Sequence, residues 1–415
     1  MKKESNFDLN SQTSKIFKSM KKTIASGILV LGLWAVSCSD PTSSEKPYES
    51  PQLPSEPYSY SQLKLPMGLF NNQNILPDIG FPGPDILVPI HGNPVSVVVT
   101  DHGATLGRVL FYDKALSLNN SVSCGSCHHQ DKAFADGKQF SPGFQGKITD
   151  RNSMGFANPI TQRNLFWDSR SFSLTDLSLR PVQNHIEMGM ENLLSLEKKL
   201  AEIPYYPELF EKAFGSKEIT AQRISDAISQ FVGAITTADS KFDVAIARDA
   251  AGADDNGLND LEKLGRTIFF SNKAKCSSCH GGNNFAALDG PFDPYGGGSS
   301  GSEDLKGTTN IGLEVIYKDN GRQNGSFRIP SLRNIALTGP YMHDGRFKSL
   351  MEVINHYDHG IKPHANLDPK FRNPDGSVVR LGLTHLEKTA LVAFLETLTD
   401  SKMTSDPKYS NPFQN

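Results

Sequence analysis

The sequence predicts a mainly α-helical fold made of two related units in tandem, with long irregular loops. The main observation is an internal repeat. Leu-Gly-Arg precedes a Cys-x-x-Cys-His pentapeptide twice, at 106–108 before 124–128 and at 264–266 before 276–280, and a Phe follows each Leu-Gly-Arg three residues later. Because more than the pentapeptide recurs, the repeat indicates a duplicated structural unit.

Helical periodicity accounts for much of the remaining chain. Apolar residues recur at helical spacing over 190–214 and 220–238. Thr384 and Glu387 have the spacing of a capping box, which predicts that a helix begins there. We interpret these helices as core elements that pack against the repeated units. The Gly-, Asn- and Ser-rich stretch 281–326 predicts a long loop.

The two pentapeptides have the pattern of haem attachment. Two thiols one helical turn apart can form thioethers with the vinyl groups of a haem, and the following imidazole can ligate the iron. Zinc sites usually separate two Cys-x-x-Cys pairs by about 15–20 residues, and a disulfide or thioredoxin-like role leaves both histidines unexplained. The motifs therefore predict two covalently bound haems c in tandem cytochrome c-like domains. The predicted haem residues are Cys124, Cys127, His128, Cys276, Cys279 and His280.

Composition and charge are those of an ordinary globular protein. The 42 basic residues nearly balance the 45 acidic ones, which indicates no nucleic-acid partner. Four of the five cysteines belong to the haem motifs, so no pair remains for a structural disulfide. Because haem c is attached outside the bacterial cytoplasm, the motifs also predict export.

The N-terminal region has the features of an export signal. Residues 1–37 predict a signal peptide with an upstream extension, because Lys21-Lys22 precede an apolar run too short to span a bilayer comfortably. The run ends in Ala-Val-Ser-Cys, which resembles a bacterial lipobox, so we expect Cys38 to be lipidated; ordinary cleavage after Ser37 is the alternative. The Pro-, Ser- and Glu-rich residues 38–66 predict a flexible tether. We expect the periplasmic side of the cell envelope, with membrane attachment only through this anchor.

Four other stretches carry a family resemblance: 166–170 (Phe-Trp-Asp-Ser-Arg), 181–188 (Pro-Val-Gln-Asn-His-Ile-Glu-Met), 327–334 (Phe-Arg-Ile-Pro-Ser-Leu-Arg-Asn) and 340–345 (Pro-Tyr-Met-His-Asp-Gly). Together with the haem motifs they resemble the bacterial dihaem cytochrome c peroxidases and the related dihaem enzymes that mature methylamine dehydrogenase. The resemblance covers residues 95–400.

The resemblance implies a division of the chain. Residues 67–238 correspond to an N-terminal, peroxidatic haem domain and residues 239–400 to a C-terminal, electron-transfer haem domain, with 401–415 as a tail. In the family, peroxide reacts at the N-terminal haem, and Glu187 matches the catalytic glutamate. A glutamine that assists in some members corresponds by spacing to Leu177.

No histidine lies between His129 and His185, where several family peroxidases carry one that blocks the peroxide face. We therefore predict an open N-terminal haem that is five-coordinate or binds water. Met154 is the remaining candidate for a ligand there, although a methionine in such a loop more often packs.

The resemblance implies further roles at the second haem and between the haems. Tyr357 falls at the second axial position of the C-terminal haem, where typical peroxidases have methionine and the methylamine-dehydrogenase-maturing enzymes have tyrosine; His356, His359 and Met351 are alternatives. Trp167 matches the tryptophan between the haems. The positions that bind calcium in the family are matched by Asn152, Thr338 and Pro340.

These features predict an exported dihaem peroxidase that reduces hydrogen peroxide to water with electrons from a small donor protein, a cytochrome c or a cupredoxin. The first alternative is a dihaem oxidase that stores oxidising equivalents and modifies a protein or small-molecule substrate. The second is a dihaem electron carrier without catalysis. The expected cofactors are two haems c and a calcium ion. The sequence leaves the oligomeric state open, a homodimer included.

Overall fold

Helices dominate the computed structural model, which describes residues 48–66, 97–162, 164–282, 284–286, 308–313, 321 and 325–413. Among these residues the α-helices are α1 (Asp101–Tyr112), α2 (Leu174–Gln183), α3 (Leu193–Ala201), α4 (Tyr206–Phe214), α5 (Ala221–Ala234), α6 (Lys241–Ala250), α7 (Asp260–Phe269), α8 (Leu350–Asn355) and α9 (His385–Glu396). A two-residue strand β1 (Thr308–Thr309) pairs antiparallel with β2 (Phe327–Arg328). The mainly helical class is confirmed.

The helices begin where short polar side chains can cap them. At most N-termini a hydroxyl or amide oxygen accepts a hydrogen bond from a backbone N–H of the first turn, which would otherwise lack a helical partner. Thr384 caps α9 in this way, and Glu387 completes the predicted capping box. The other residues that cap in this way are Thr100, Ser173, Asn192, Thr220, Ser240, Asn259 and Ser349.

The apolar pattern over 190–214 forms two helices rather than one. α3 ends at Ala201 and α4 begins at Tyr206, with Pro207 in its first turn. A proline at this position lacks the backbone N–H that a continuous helix would need, so the chain breaks before it. The stretch 220–238 contains α5, which begins after its cap and ends at Ala234.

Two helix pairs form the framework of the repeat. α1 packs along α5, and α7 packs along α9. Gly107 of α1 lies so close to α5 that a Cβ there would be 1.9 Å from the carbonyl oxygen of Ala227; a Cβ on Gly265 of α7 would be 1.9 Å from the carbonyl oxygen of Ala390. The glycine of each Leu-Gly-Arg is therefore the point where the paired helices touch backbone to backbone.

The buried apolar residues form a large cluster around α1 and α5 and a second cluster around α7 and α9. A smaller third cluster contains Ile361, Leu367 and Phe371, with Tyr357 packed against it. Residues from Tyr48 onward belong to one compact unit. The predicted domain boundary at 238/239 therefore stays a prediction. No helix among the described residues is long and apolar enough to cross a membrane.

The predicted flexible tether, 38–66, is wrong for its described part. Residues 48–66 pack on the protein: Tyr60 is 1% exposed and its hydroxyl donates to the carbonyl of Lys408 at 2.5 Å. The backbone N–H of Gln52 donates to the carbonyl of Pro412 at 2.7 Å. The proline-rich composition suggested a tether, but the aromatic side chains provide enough buried area to order the segment. The signal peptide and Cys38 lie outside the described residues.

The predicted tail also packs. Tyr409 is buried, and its carbonyl accepts a hydrogen bond from the hydroxyl of Tyr112 at 2.7 Å. The side chain of Gln130, just after the first haem motif, donates to the carbonyls of Met403 and Asp406 at 3.0 and 2.8 Å. Residues 401–413 therefore connect the end of the second half to the haem loop of the first.

We expect Gly107→Ala to destabilise the protein by about 1–3 kcal/mol or more, because the added methyl forces α1 and α5 apart. The free energy of unfolding in urea measures this. Gly233→Ala in α5 is the matched control: its Cβ would lie 3.5 Å from the nearest atom, a normal contact, so it should be neutral or stabilising by about 0.5–1 kcal/mol. Equal losses in both variants would contradict the close helix contact.

Candidate active site and haem-binding residues

The first haem motif presents its histidine in one defined tautomer. Cys124–Ser126 form a single 3₁₀ turn, which places His128 just beyond it. Nδ1 of His128 lies 2.6 Å from the carbonyl oxygen of Phe134. Because a carbonyl can only accept, Nδ1 carries the hydrogen and Nε2 keeps its lone pair for a metal. The ring of Phe156 stacks on the imidazole with centroids 4.6 Å apart.

The second motif repeats this arrangement. Cys276–Ser278 form the same 3₁₀ turn. Nδ1 of His280 lies 3.2 Å from the carbonyl oxygen of Phe285 and 3.1 Å from that of Pro330. Burial lowers the pKa of His280 to about 4 and also lowers that of His128, so both rings are neutral at pH 7 and suited to bind iron.

The four motif thiols are unpaired, which disfavours the disulfide alternative. Cys124, Cys127, Cys276 and Cys279 form no disulfide. Burial raises the pKa of Cys124 and of Cys276 to about 12. Within the described ranges, no group of three or more His, Cys, Asp or Glu side chains could hold a metal ion alone, so the zinc alternative finds no ligand set there. The geometry fits haem attachment.

A mostly apolar cavity opens beside the second motif. His280 and Tyr357 both line it, together with Cys276 and Cys279. Burial raises the pKa of the Tyr357 phenol, and the two nearby thiols raise it further. The Tyr357 hydroxyl makes no hydrogen bond to any residue that the structure describes, so it is available to another partner in the cavity.

The alternatives to Tyr357 are placed differently. Nε2 of His356 lies 3.0 Å from the carbonyl oxygen of Ile311, and this bond occupies the ring nitrogen. The side chain of His359 is 62% exposed and lies against Asp358 at 3.0 Å. Met351 is not among the cavity-lining residues. Of the four candidates, Tyr357 is the one brought together with His280.

Trp167 lines the cavity at the second motif and is hydrogen-bonded to a residue whose neighbour contacts the first motif. Its indole N–H donates to the carbonyl oxygen of Asn152 at 2.9 Å, and its ring lines the cavity at the second motif. The next residue along from Asn152, Ser153, donates through its hydroxyl to the carbonyl of Cys127 at 2.6 Å. The hydrogen-bonded pair Trp167–Asn152 therefore lies between the cavity at the second motif and the residue that contacts Cys127, and the aromatic-bridge role stays a prediction.

Met154 lies on the proximal side of the first motif. Its backbone is a hydrogen-bonding neighbour of the His128 imidazole, and its sulfur accepts from the Arg328 guanidinium at 3.6 Å. Because it adjoins the face that already has His128, its position does not support a role as ligand on the opposite face.

Arg328 is a site residue that received no role from the sequence. It is buried and lines the cavity at the second motif. Among the described residues no carboxylate pairs with it, and its Nε has no hydrogen-bond partner. Burial lowers its pKa to about 10, so it remains charged at pH 7. A buried guanidinium without a counter-ion fits an anionic group such as a haem carboxylate. The signal in the sequence is an arginine directly flanked by the apolar residues Phe327 and Ile329.

Glu187 lies beside the first motif. Its carboxyl is close enough to Cys124 and Cys127 to raise the pKa of both thiols. Burial raises the pKa of Glu187 itself, while the charge of Arg170 opposes the effect. Leu177, on α2, packs against the first apolar cluster and offers no polar group.

Asn184 builds the turn that presents Glu187. Its amide oxygen accepts from the backbone N–H of Ile186 at 2.8 Å, and its amide nitrogen donates to Oε1 of Glu187 at 3.1 Å. Asparagine can accept one of these hydrogen bonds and donate the other, because its side chain carries both an acceptor and a donor. The sequence reasoning assigned no role to Asn184.

The three candidate calcium residues line the same cavity. Asn152, Thr338 and Pro340 all line the cavity at the second motif. The Asn152 amide nitrogen donates to the carbonyl of Lys138 at 2.7 Å, and its amide oxygen has no hydrogen-bond partner in the described part of the chain. The Asn152 amide oxygen is of the type that calcium prefers, and the calcium site stays a prediction.

Comparison with known proteins shows the family of this chain. The family model described as "Di-haem cytochrome c peroxidase" matches residues 101–251. The chain is 31% identical over 313 residues to the cytochrome c551 peroxidase of Nitrosomonas europaea, covering 74% of this chain and 83% of that one. It belongs to the di-haem cytochrome c peroxidase family.

The chain is also similar to MauG proteins. The chain is 29% identical to the methylamine utilization protein MauG of Methylophilus methylotrophus, covering 78% of this chain and 89% of that one. A crystal structure of a MauG-like protein associated with microbial copper homeostasis matches with a TM-score of 0.65 and 31% identity, covering 80% of this chain and 98% of that one. The suspected family is confirmed, and a di-haem family implies two haems c.

Glu187→Gln tests the buried carboxyl. The pKa of Glu187 in the folded protein lies above its ordinary value of 4.5, so ionisation above pH 4.5 favours the unfolded chain. We expect the variant to have the larger free energy of unfolding at pH 7, by about 1.4 kcal/mol for every tenfold change in proton affinity. The gain should disappear as the pH falls below 4.5.

Urea unfolding of the haem-loaded protein at pH 4 and pH 7 measures the effect. Glu191→Gln, at an exposed neighbouring glutamate, is the control and should show no such pH-dependent gain. A pH-independent difference between parent and Glu187→Gln would contradict a raised pKa at this position.

Proposed function

We propose that this chain is a di-haem peroxidase that reduces hydrogen peroxide to water with electrons from a small redox protein. Family membership supports di-haem peroxidase activity in general. The observation that carries the specific proposal is Glu187, a partly buried carboxyl beside the first haem motif that Asn184 holds at 3.1 Å and whose pKa desolvation raises above its ordinary value. A group that must accept and return a proton near pH 7 works best with such a pKa.

Glu187 is the acid and base of the proposed reaction. Peroxide takes up two electrons and two protons, its O–O bond breaks, and two waters leave. The carboxylate of Glu187 takes a proton from one peroxide oxygen and gives it to the other, which then departs as water. Asn184 orients the carboxylate through the 3.1 Å bond to Oε1. The haem held at His128 would supply the iron that binds peroxide and exchanges electrons.

Electrons would enter at the second haem and pass to the first by way of Trp167. Support comes from the position of its ring in the cavity of His280 and from its hydrogen bond to Asn152, next to the residue that touches Cys127. The buried Arg328 would pair with a carboxylate of the second haem. The electron donor is proposed to be a cytochrome c or a cupredoxin.

Steady-state turnover tests the proposal. The half-reduced protein, given peroxide and reduced cytochrome c, should oxidise the cytochrome rapidly, and Glu187→Gln should lower kcat by roughly 10²–10⁴-fold, the usual contribution of a positioned acid–base group. Glu191→Gln should retain the parent rate. Inertness of the parent toward peroxide would instead indicate an electron carrier, and full activity of Glu187→Gln would exclude the assigned role.

A second candidate function rests on Tyr357. A phenolate is a hard anionic donor that favours higher iron oxidation states, and Tyr357 faces the same cavity as His280 with its hydroxyl unbound by described residues. We propose it as the second axial ligand. With this ligand, the protein would act as an oxidase that stores oxidising equivalents and modifies a protein or small-molecule substrate. A long-lived oxidised state after peroxide, without cytochrome oxidation, would favour this function.

Tyr357→Phe tests the ligand. Loss of the phenolate should change the spectrum of the second haem and raise its reduction potential, because an anionic donor stabilises the oxidised iron. A spectroelectrochemical titration measures both. Met351→Leu, at a candidate that does not line the cavity, should leave potential and spectrum unchanged. An unaltered second-haem spectrum in Tyr357→Phe would exclude Tyr357 as a ligand.

Calcium and cell location complete the proposal. We propose that Asn152, Thr338 and Pro340 hold a calcium ion, which their shared position along one cavity supports.

Export to the periplasm with a lipid anchor at Cys38 is proposed from the N-terminal sequence alone. The N-terminal haem is proposed to be open on its peroxide face, since no histidine lies between His129 and His185.

A further inference from the structure

Tyr357 lies in an unusual turn. Residues His356–Gly360 form a π-helix that continues directly from α8. Such turns have wider hydrogen-bonded rings than α-helices, are rare, and recur at functional sites. Because the turn is less stable than regular helix, contacts from outside must hold it, and those contacts decide where the Tyr357 side chain lies.

The residues on either side of Tyr357 provide two of these contacts. On one side, His356 donates from Nε2 to the carbonyl oxygen of Ile311 at 3.0 Å. On the other side, the carboxylate of Asp358 accepts from Lys388 Nζ at 2.6 Å and from the backbone N–H of Leu383 at 2.9 Å. Tyr357 itself, between these anchored neighbours, lines the cavity.

Lys388 holds the turn at two points. Besides Asp358, its ammonium donates to the side-chain oxygen of Asn355, the last residue of α8, at 3.0 Å. It therefore spans the junction where α-helix changes to π-helix. Lys388 lies on α9, whose other face packs on α7, the helix that leads into the second haem motif. The turn with Tyr357 is therefore held by α9 directly, and the motif with His280 is held by α9 through α7.

The burial of this ion pair distinguishes it from others on the same helix. The side chains of Lys388 and Asp358 are 13% and 8% exposed. Glu387 of α9 also pairs with Lys273, which lies after α7, at 2.6 Å, but the side chains of Lys273 and Glu387 are 43% and 20% exposed. Exposed pairs contribute little to stability, whereas removing one partner of a buried pair leaves an uncompensated charge.

We propose that the Lys388–Asp358 pair is the positioning element that holds the Tyr357 phenol opposite His280 at the second haem. The inference rests on the proposed role of Tyr357 as axial ligand. Neither Lys388 nor Asp358 lines the cavity. Both act on Tyr357 through the π-helix that they hold in place. When the pair is broken, the turn can relax toward α-helical hydrogen bonding, which changes the direction in which residue 357 points.

Lys388→Met tests the pair, since methionine keeps most of the side-chain length and removes the charge. We expect the ratio of tyrosinate-ligated to unligated second haem to fall by roughly tenfold or more, because Asp358 loses its buried ammonium partner and keeps only the exposed His359 and the Leu383 N–H. Resonance Raman bands of the iron–phenolate unit and the spin state of the oxidised protein measure this ratio. The first-haem spectrum should not change.

Three further variants make the result decisive. Lys273→Met removes the exposed pair that Lys273 forms with Glu387 of α9, and it should keep the parent ratio. Lys388→Arg keeps the charge and should recover most of the ligation. If Lys388→Met does not fold with two haems, Asp358→Asn replaces it, because the amide keeps the shape and the acceptor for the Leu383 N–H.

Tyr357→Phe separates the two ideas. If Tyr357→Phe alters the second-haem spectrum while Lys388→Met and Asp358→Asn do not, the positioning role is wrong and the ligand assignment stands. If Tyr357→Phe itself leaves the spectrum unaltered, the ligand assignment is wrong. Loss of ligation in Lys388→Met with recovery in Lys388→Arg supports the inference.

Discussion

The backbone contact between paired helices is the constraint on which both haem sites depend. α1 can meet α5, and α7 can meet α9, only because a glycine stands where the carbonyl of an alanine approaches. Each close contact fixes the helix that leads into a Cys-x-x-Cys-His turn. The turn in turn brings its histidine under a backbone carbonyl, which takes the Nδ1 hydrogen and leaves Nε2 for iron.

The two halves differ in the side chains that surround each motif. Near the first motif a short turn made by one asparagine presents a partly buried carboxyl. At the second motif a π-helix presents a phenol to an apolar cavity. The duplicated scaffold therefore supplies the same attachment twice, and local irregular turns supply the difference. Such turns have no periodicity, so they can change without disturbing the helix pairs.

Periodic and motif-based features could be predicted from the sequence. The repeat, the helical class and the Thr384 cap follow from local residue patterns, and the positions of Glu187, Trp167 and Tyr357 followed from matching short motifs. Arg328 received no role because its contacts come from distant parts of the chain. Asn184 received none because its two hydrogen bonds depend on the geometry of an irregular turn, which has no sequence period. The packing of 48–66 was missed because composition reports the average polarity of a segment, whereas its order depends on single aromatic residues such as Tyr60 finding a pocket.

The return of residues 401–413 to the first half has a consequence for how the chain can vary in evolution. Carbonyls near the extreme C-terminus receive hydrogen bonds from Tyr112 and Gln130, one at the end of α1 and one beside the first haem motif. A frameshift or early stop codon after α9 would leave the second half complete and expose the first. Substitutions in residues 401–413 are therefore constrained by the first half of the chain, although these residues follow the second half in sequence.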